Sequence, residues 1–309
     1  MADTPGPPAC AADTSNTRIL VLGAGVIGTL YAVSLAKVPG VTVTLAARGE
    51  RLEQIAPAVS VKRGNSIEIV PLTVVAAPVH VAASWDYILV CVRYDQVDTA
   101  LRDAATLECP TIVTLVNGPG DYTAWERIVG VGRLVPAFPG AGGSIDADGV
   151  LDASATPALI QRTTLGEVSG KRSARVTRLA ALLRRAGFPT AVSARMGAWQ
   201  LTHLALVVSL TDAVYASEEA GWSQPSEDTA ALGQAVDDFR KYVARLGASG
   251  VQPAPLKIAL LARLPRGVLR LAVTAAFRSD FGDKFINRHA RRARGEMGLA
   301  KQALLTRLH

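Results

Sequence analysis

The sequence predicts an α/β protein: a doubly wound parallel sheet followed by an all-helical domain. Three observations predict it. The apolar run Arg18–Leu22 feeds a glycine-rich turn, a helical stretch to Lys37 and a second β-branched run over Val41–Ala47, which together make a βαβ unit. Further apolar runs of strand length then alternate with helical stretches as far as residue 193, the pattern of a parallel sheet with helices on both faces. From Ala194 the periodicity is helical only. The expected division is a leader over 1–16, a Rossmann-type domain over 17–193 and a helical domain over 194–309.

The first turn reads Gly23-Ala24-Gly25-Val26-Ile27-Gly28, with the G-x-G-x-x-G spacing between strand and helix. Gly23 allows the tight turn, Gly25 lets a pyrophosphate approach the backbone, and Gly28 lets the helix pack on the strand. The first helical residues, Val26 and Ile27, would turn their N–H groups toward the phosphates. A nicotinamide dinucleotide is therefore the expected cofactor. Its type is read at the end of the second strand, where NAD sites carry an acid and NADP sites use Arg. Here the chain reads Ala46-Ala47-Arg48-Gly49-Glu50-Arg51. Arg48 is the first polar side chain there, and a guanidinium fork suits a 2′-phosphate. Glu50 falls inside the next turn and reads as a helix-start residue, so NADP(H) is favoured.

Composition narrows the class. A chain of 309 residues with 49% hydrophobic content can bury large cores in two domains. The most apolar stretch, Leu201–Leu210, contains Thr202, His203 and Ser209 and is too short for a membrane span. The N-terminus lacks the basic and apolar regions of a secretion signal. Cys10, Cys91 and Cys109 have no metal or redox spacing, so reduced thiols, a cytoplasmic location and no metal are expected. The net charge is +7, and the basic run Arg288–Arg294 has no interleaved aromatics. It reads as a solvated helix rather than a nucleic-acid surface. The expected partners are a small-molecule substrate and, through the helical domain, a second copy. Neither a nucleic acid nor a membrane is expected.

The elements follow in order. A short helix runs from Arg48 to about Ala56. Val59–Lys62 and Ile67–Val70 form a hairpin around Gly64-Asn65. Trp85–Val92 and Thr111–Val116 are buried strands, each followed by a helix, and Arg133–Phe138 is a further strand. Residues 140–149 read as a flexible loop, with short strands near 158–161 and 163–165. Residues 172–186 form a helix stopped by Gly187, and residues 190–193 close the domain. Helices are then expected over 195–217, 226–246, 253–264, 267–278, 282–297 and 300–308. Ser226 is the expected N-cap of the second of these. Ligands of such sheets sit beyond the carboxyl ends of the strands, so one cleft should collect Gly23, Arg48, Arg93 and Asn117.

With both halves in view, residues 18–308 resemble the ketopantoate reductase (2-dehydropantoate 2-reductase) family. The resemblance is carried by Gly23–Gly28, Ala47-Arg48-Gly49, Val92-Arg93-Tyr94-Asp95-Gln96, Val116-Asn117-Gly118, Gly187-Phe188 before Trp199, and Phe285-Ile286-Asn287. It implies NADPH-dependent reduction of a 2-oxo acid in a cleft between a Rossmann domain and a helical domain. It further implies that Gly23, Gly25, Gly28 and Arg48 hold the cofactor. Asn117 would lie near nicotinamide and substrate, and Arg93 keeps a cation where the family has a lysine.

The chain departs from the family where the chemistry is done. The family's general acid, the lysine of Trp-x-Lys, corresponds to Leu201, and its asparagines four and eight residues on correspond to Ala205 and Ser209. Its substrate-orienting glutamate corresponds to Gly282, with Asp283 one residue away. By helical phase, Leu201, Ala205, Val208 and Asp212 share a face with Ser209 at its edge, and His203 lies opposite. Ser209, Asp212 and Asp283 (the last beside Lys284) are thus candidate substitutes, each weighed against a capping, solvated or ion-paired role. His203 is weighed against simple packing. An apolar face at Leu201, Ala205 and Val208 predicts a substrate less charged than ketopantoate. A non-redox nucleotide-binding protein on the same fold is the other reading.

Overall fold

The computed structural model of the chain describes residues 16–79 and 83–308. Its first domain runs β1 (Thr17–Leu22), α1 (Val26–Ala36), β2 (Val41–Ala47), α2 (Gly49–Ile55), β3 (Ala58–Arg63), β4 (Ser66–Pro71), β5 (Thr73–Ala76), β6 (Tyr87–Val90), α3 (Val97–Ala105), β7 (Ile112–Leu115), α4 (Tyr122–Val129), β8 (Leu134–Phe138), β9 (Ala141–Ile145), β10 (Leu151–Ala155), β11 (Thr163–Leu165), α5 (Ala174–Arg185) and β12 (Thr190–Val192). The second runs α6 (Met196–Glu219), α7 (Thr229–Ala248), α8 (Leu256–Leu261), α9 (Arg266–Arg278), α10 (Asp280–Gly282), a π-helical turn at Asp283–Asn287, α11 (Arg288–Arg292) and α12 (Arg294–Arg307). The fold class is the one expected. Of the leader, residues 1–15 lie outside the described residues. Asn16 already belongs to the fold, donating from its amide to Thr42 Oγ1 at 2.7 Å.

The main sheet has the order β12-β11-β8-β7-β6-β1-β2-β5. It is parallel except where β11 meets β8 antiparallel. Strands β1, β6 and β7 are continuous apolar runs because helices cover both faces of the sheet. Ile19, Leu20, Ile88, Leu89 and Ile112 are accordingly fully buried. The chain order reverses next to β1, between β2 and β6, which is the crevice where such sheets bind ligands.

A second sheet, β4-β3-β10-β9, corrects two expectations. Residues 141–145 are a strand, not part of a loop, and the strand expected at 158–161 lies earlier, at 151–155. The hydrophobic pattern could not show β9, which reads Ala-Gly-Gly-Ser-Ile. Its glycines serve close approach instead: a Cβ at Gly143 would lie 2.2 Å from the Asp152 carbonyl oxygen on β10. This sheet packs on the face of α1 turned away from β1 and β2, so α1 touches both sheets. Hence α1 buries residues all round, from Gly28 to Val33 and Leu35, rather than on one face. At its centre Tyr31 stacks on Phe188 with ring centroids 4.0 Å apart, and its hydroxyl meets Thr163 Oγ1 at 2.5 Å.

In the helical domain α6 and α7 pack along each other, with α12 on α6 and α9 on α7. The cap of α7 is Asp228, whose carboxylate accepts from the Ala230 and Ala231 amides, and Ser226 lies in the preceding turn. Aspartate so placed also favours the positive end of the helix. The helix expected over 282–297 is broken by the π-helical turn and again at Ala293, so Arg294–Arg307 forms one helix. Cys91 and Cys109 are buried free thiols. Among the described residues no helix is long and apolar enough to cross a membrane, and no cluster of three His, Cys, Asp or Glu side chains could hold a metal.

Candidate functional site

Adjacent strands β7, β6, β1 and β2 end, in that order, at Asn117, Arg93, Gly23 and Arg48. At the glycine-rich turn the three glycines divide into two kinds. Gly23 has φ +105°, and a Cβ on it would lie 2.5 Å from the Cys91 carbonyl oxygen. A Cβ on Gly28 would lie 1.8 Å from the Gly23 oxygen. Both are fixed by the packing of α1 against β1 and β6. A Cβ on Gly25 would meet nothing within 4 Å. Its backbone faces open space, and α1 begins there without a side-chain cap, leaving the first-turn N–H groups of Val26 and Ile27 available to an anion. These residues fit a dinucleotide pyrophosphate.

Two side chains staple the turn. The Ala24 carbonyl accepts from Thr29 Oγ1 and from Arg51 Nε, each at 3.0 Å. Arg51 also donates through Nη1 to the Gly149 carbonyl at 3.0 Å, tying the turn to the β9–β10 connection. Its Nη2 is buried without a partner, and burial lowers the pKa of its guanidinium. The sequence marked Arg51 only as the next cation after Arg48. Its link to Ala24 depends on α2 curling back over the turn, which no local spacing reveals.

Arg48 sits at the end of β2 in extended backbone and donates through Nη2 to Asp103 Oδ2 on α3 at 2.6 Å. It is the half-exposed cation of that corner, and no acid takes the NAD-type position at the end of β2. Arg93 is also exposed and forks onto Asp95 at 3.0–3.1 Å. The following residue, Tyr94, lays its ring over Gly118 and donates from its hydroxyl to the Pro119 carbonyl at 3.1 Å. Asn117 is half-buried next to this contact. The helical domain reaches the same place through Glu296 of α12, which accepts from the Tyr94 N–H at 3.3 Å. Burial raises the pKa of that carboxyl.

The face of α6 turned toward the strands differs from the one expected. Leu201, Ala205 and Val208 are buried in the helical core with Phe239, Leu246 and Leu304. The strand ends instead meet Met196, Trp199, Gln200 and His203. Gln200 accepts from the Tyr122 hydroxyl at 2.5 Å and from the Gly120 N–H at 3.4 Å, and donates to the Ala137 carbonyl at 3.3 Å. His203 stacks on Trp199 and abuts Phe138, with centroids 5.0 and 4.4 Å away. Helical phase placed His203 opposite Leu201; it could not say which face the sheet would take.

The substitute acids are engaged within the helical domain. Ser209 is fully buried and donates to the Ala205 carbonyl at 2.8 Å. It lies about 15 Å along the helix from Trp199 at 1.5 Å per residue. Asp212 pairs with Lys301 of α12 at 2.8 Å, and burial raises its pKa despite that partner. Asp283, in the π-helical turn, pairs with Arg288 at 2.6 Å. Gly282 has no room for the family's glutamate, since a Cβ there would lie 2.0 Å from the Ala276 carbonyl oxygen.

Burial, reinforced by the charge of Lys257, pushes the pKa of His203 down to about 3, and its Nδ1 is buried without a partner. Unfolded, the same group would titrate at about 6.5. Between these values the unfolded chain holds the extra proton, so acid costs the native state about 1.4 kcal/mol per pH unit from this residue alone. The His203→Phe variant is expected to lose that share of the pH dependence. Urea unfolding from pH 7 to pH 4.5 measures it, and parallel curves for variant and parent would refute it.

Residues 19–170 match the family model of ketopantoate reductase PanE/ApbA. No curated protein matches the chain. Solved structures match nearly its whole length. A D-mandelate dehydrogenase in complex with NADH is 15% identical, with TM-score 0.67, over 94% of this chain and 91% of that one. The 2-dehydropantoate 2-reductase of Geobacter metallireducens is 17% identical, with TM-score 0.64, over 94% and 99%. That of Porphyromonas gingivalis is 17% identical, with TM-score 0.61, over 91% and 100%. At these identities the likeness is one of fold.

Proposed function

On the match of residues 19–170 to the ketopantoate reductase family model, we propose that this chain is an NADPH-dependent oxidoreductase acting on a carbonyl substrate between its two domains. The observation that carries the reading is the open backbone at Gly25, flanked by two sterically fixed glycines and by Arg48. When bound, the nicotinamide supplies the hydride. The chain's part is to hold the pyrophosphate on the first turn of α1, the 2′-phosphate at Arg48 and the reacting groups near Asn117, whose amide both donates and accepts. Positioning of this kind supplies much of the rate of a hydride transfer. The substrate is a 2-oxo acid, ketone or imine less charged than ketopantoate, because the α6 side chains that meet the strand ends, Trp199, Gln200 and the neutral His203, carry no charge, and Gly282 stands where the family has its glutamate.

A second reading has its own support. Ser209 and Asp283 are both engaged with partners of the helical domain, which favours a protein that binds NADP without turning it over. One experiment separates the two. NADPH oxidation is followed with ketopantoate, larger 2-oxo acids and neutral ketones, alongside direct titration of the cofactor. Turnover of neutral or bulky substrates, lowered at least tenfold by Asn117→Ala, is the expected result. Tight NADPH binding with no turnover across the panel establishes the second reading, and no binding overturns both.

A further inference from the structure

We propose that the outer surface of α8 and α9, with the Leu159–Ile160 turn beside them, docks reversibly on an anionic lipid surface. The stretch from Phe239 to Ser279 contains eight cations and no aspartate or glutamate. Within it the aliphatic side chains fall into two sets. Ile258, Leu269 and Phe277 are buried against the rest of the domain. Leu256 and Leu260 on α8 and Val268 and Leu271 on α9 stand out into solvent, Leu256 and Leu271 being 68% and 71% exposed. At about 100° per residue, Val268, Leu271, Ala272 and Ala275 occupy one sector of α9, with Arg278 at its edge and Arg270 turned about 100° further round. Next to α8, Lys257 donates to the Leu159 and Ile160 carbonyls at 3.3 and 2.7 Å. That brings Leu159, 91% exposed, beside the α8 leucines.

The charges decide the partner. Arg266 is paired with Asp237, but Arg263, Arg270 and Arg278 form no ion pair with a described residue. A two-fold contact with a second copy would set this mainly cationic face against itself, with its neighbouring Asp237 already paired to Arg266. An anionic bilayer satisfies both features, since leucines insert at the headgroup boundary while arginines meet the phosphates. The expectation of no membrane partner rested on the lack of a spanning segment, and adsorption of a surface needs none.

Flotation of the full chain with vesicles tests this. Phosphatidylcholine vesicles are compared with vesicles containing about 30% phosphatidylglycerol, an anionic fraction chosen to create a surface potential. The chain is expected to float with the anionic vesicles only, and to be released by about 0.5 M salt, where screening is short-ranged. Each basic residue near such a surface contributes about a fivefold gain in partition. Arg263→Glu with Arg278→Glu should therefore lower binding by about twenty-five-fold or more. Leu256→Asp with Leu271→Asp should also lower it, and all four sites are exposed, so circular dichroism should be unchanged. Failure to float with anionic vesicles at low salt, or equal binding to neutral ones, overturns the proposal. So does a dimer in solution that Leu271→Asp dissociates while no vesicle binding is seen, which would give the face to a second copy.

Discussion

Gly25→Val is expected to abolish NADPH binding, by about two orders of magnitude or more, while the free protein melts within a few degrees of the parent. The two halves of that expectation have separate causes. Gly25 has φ −73° and ψ −173°, an extended conformation that any residue adopts, and a Cβ there meets nothing. Exchange of the helix N-cap among residues without a capping oxygen costs little. The same side chain would occupy the space through which a pyrophosphate must reach the first N–H groups of α1. Holding it off by even 1–2 Å forfeits several charge-assisted hydrogen bonds, each contributing about 1.5–3 kcal/mol. Gly28→Ala is the control of opposite kind. Its Cβ would overlap the Gly23 carbonyl oxygen, so α1 must shift and the free protein itself should be destabilised. Calorimetric titration with thermal melts of both variants checks the pair. Parental NADPH affinity in Gly25→Val would remove the turn from the cofactor site.

Arg48→Ala is expected to weaken NADPH binding by about thirtyfold and NADH binding by less than threefold, matching about 2 kcal/mol for hydrogen bonds to a charged group. Arg48 is exposed and already shares one nitrogen with Asp103, so the contribution is moderate and should shrink as salt screens it. Asp103 orients the guanidinium, yet places a carboxylate near the incoming dianion. The measured preference is the difference of those two effects. Fluorescence titration of both cofactors decides it, and equal affinity for NADPH and NADH in the parent protein would overturn the NADP assignment.

The sequence made the main sheet legible because parallel strands buried on both faces are unbroken runs of Ile, Val and Leu. Glycine spacing gave the turn for the same local reason. The second sheet was hidden because β9 is built of Ala, Gly and Ser, whose value lies in letting strands approach rather than in any periodicity. Gln200 and Glu296 were hidden for another reason. Each acts on a residue far away in the chain, Gln200 on Tyr122 and Glu296 on Tyr94, and helical phase fixes which residues share a face but not what that face meets. The family resemblance led to Leu201, one residue past Gln200. The side chain that touches the strand ends is the polar neighbour.

The clamping of α1 between two sheets bears on how a nucleotide would be received. Most helices that begin at a ligand have one side in water and can fray or rock. Here residues 28–33 are buried on every side, with the Tyr31 phenol bonded across to Thr163. The amides from Thr29 onward, bonded within the buried helix, should therefore exchange with solvent deuterium only through global unfolding, while those of Val26 and Ile27 exchange readily until an anion covers them. A site so rigid before the ligand arrives loses little conformational entropy on capture. Affinity would then report the contacts themselves, and binding should protect the first-turn amides of Val26 and Ile27 while leaving those of the buried turns unchanged.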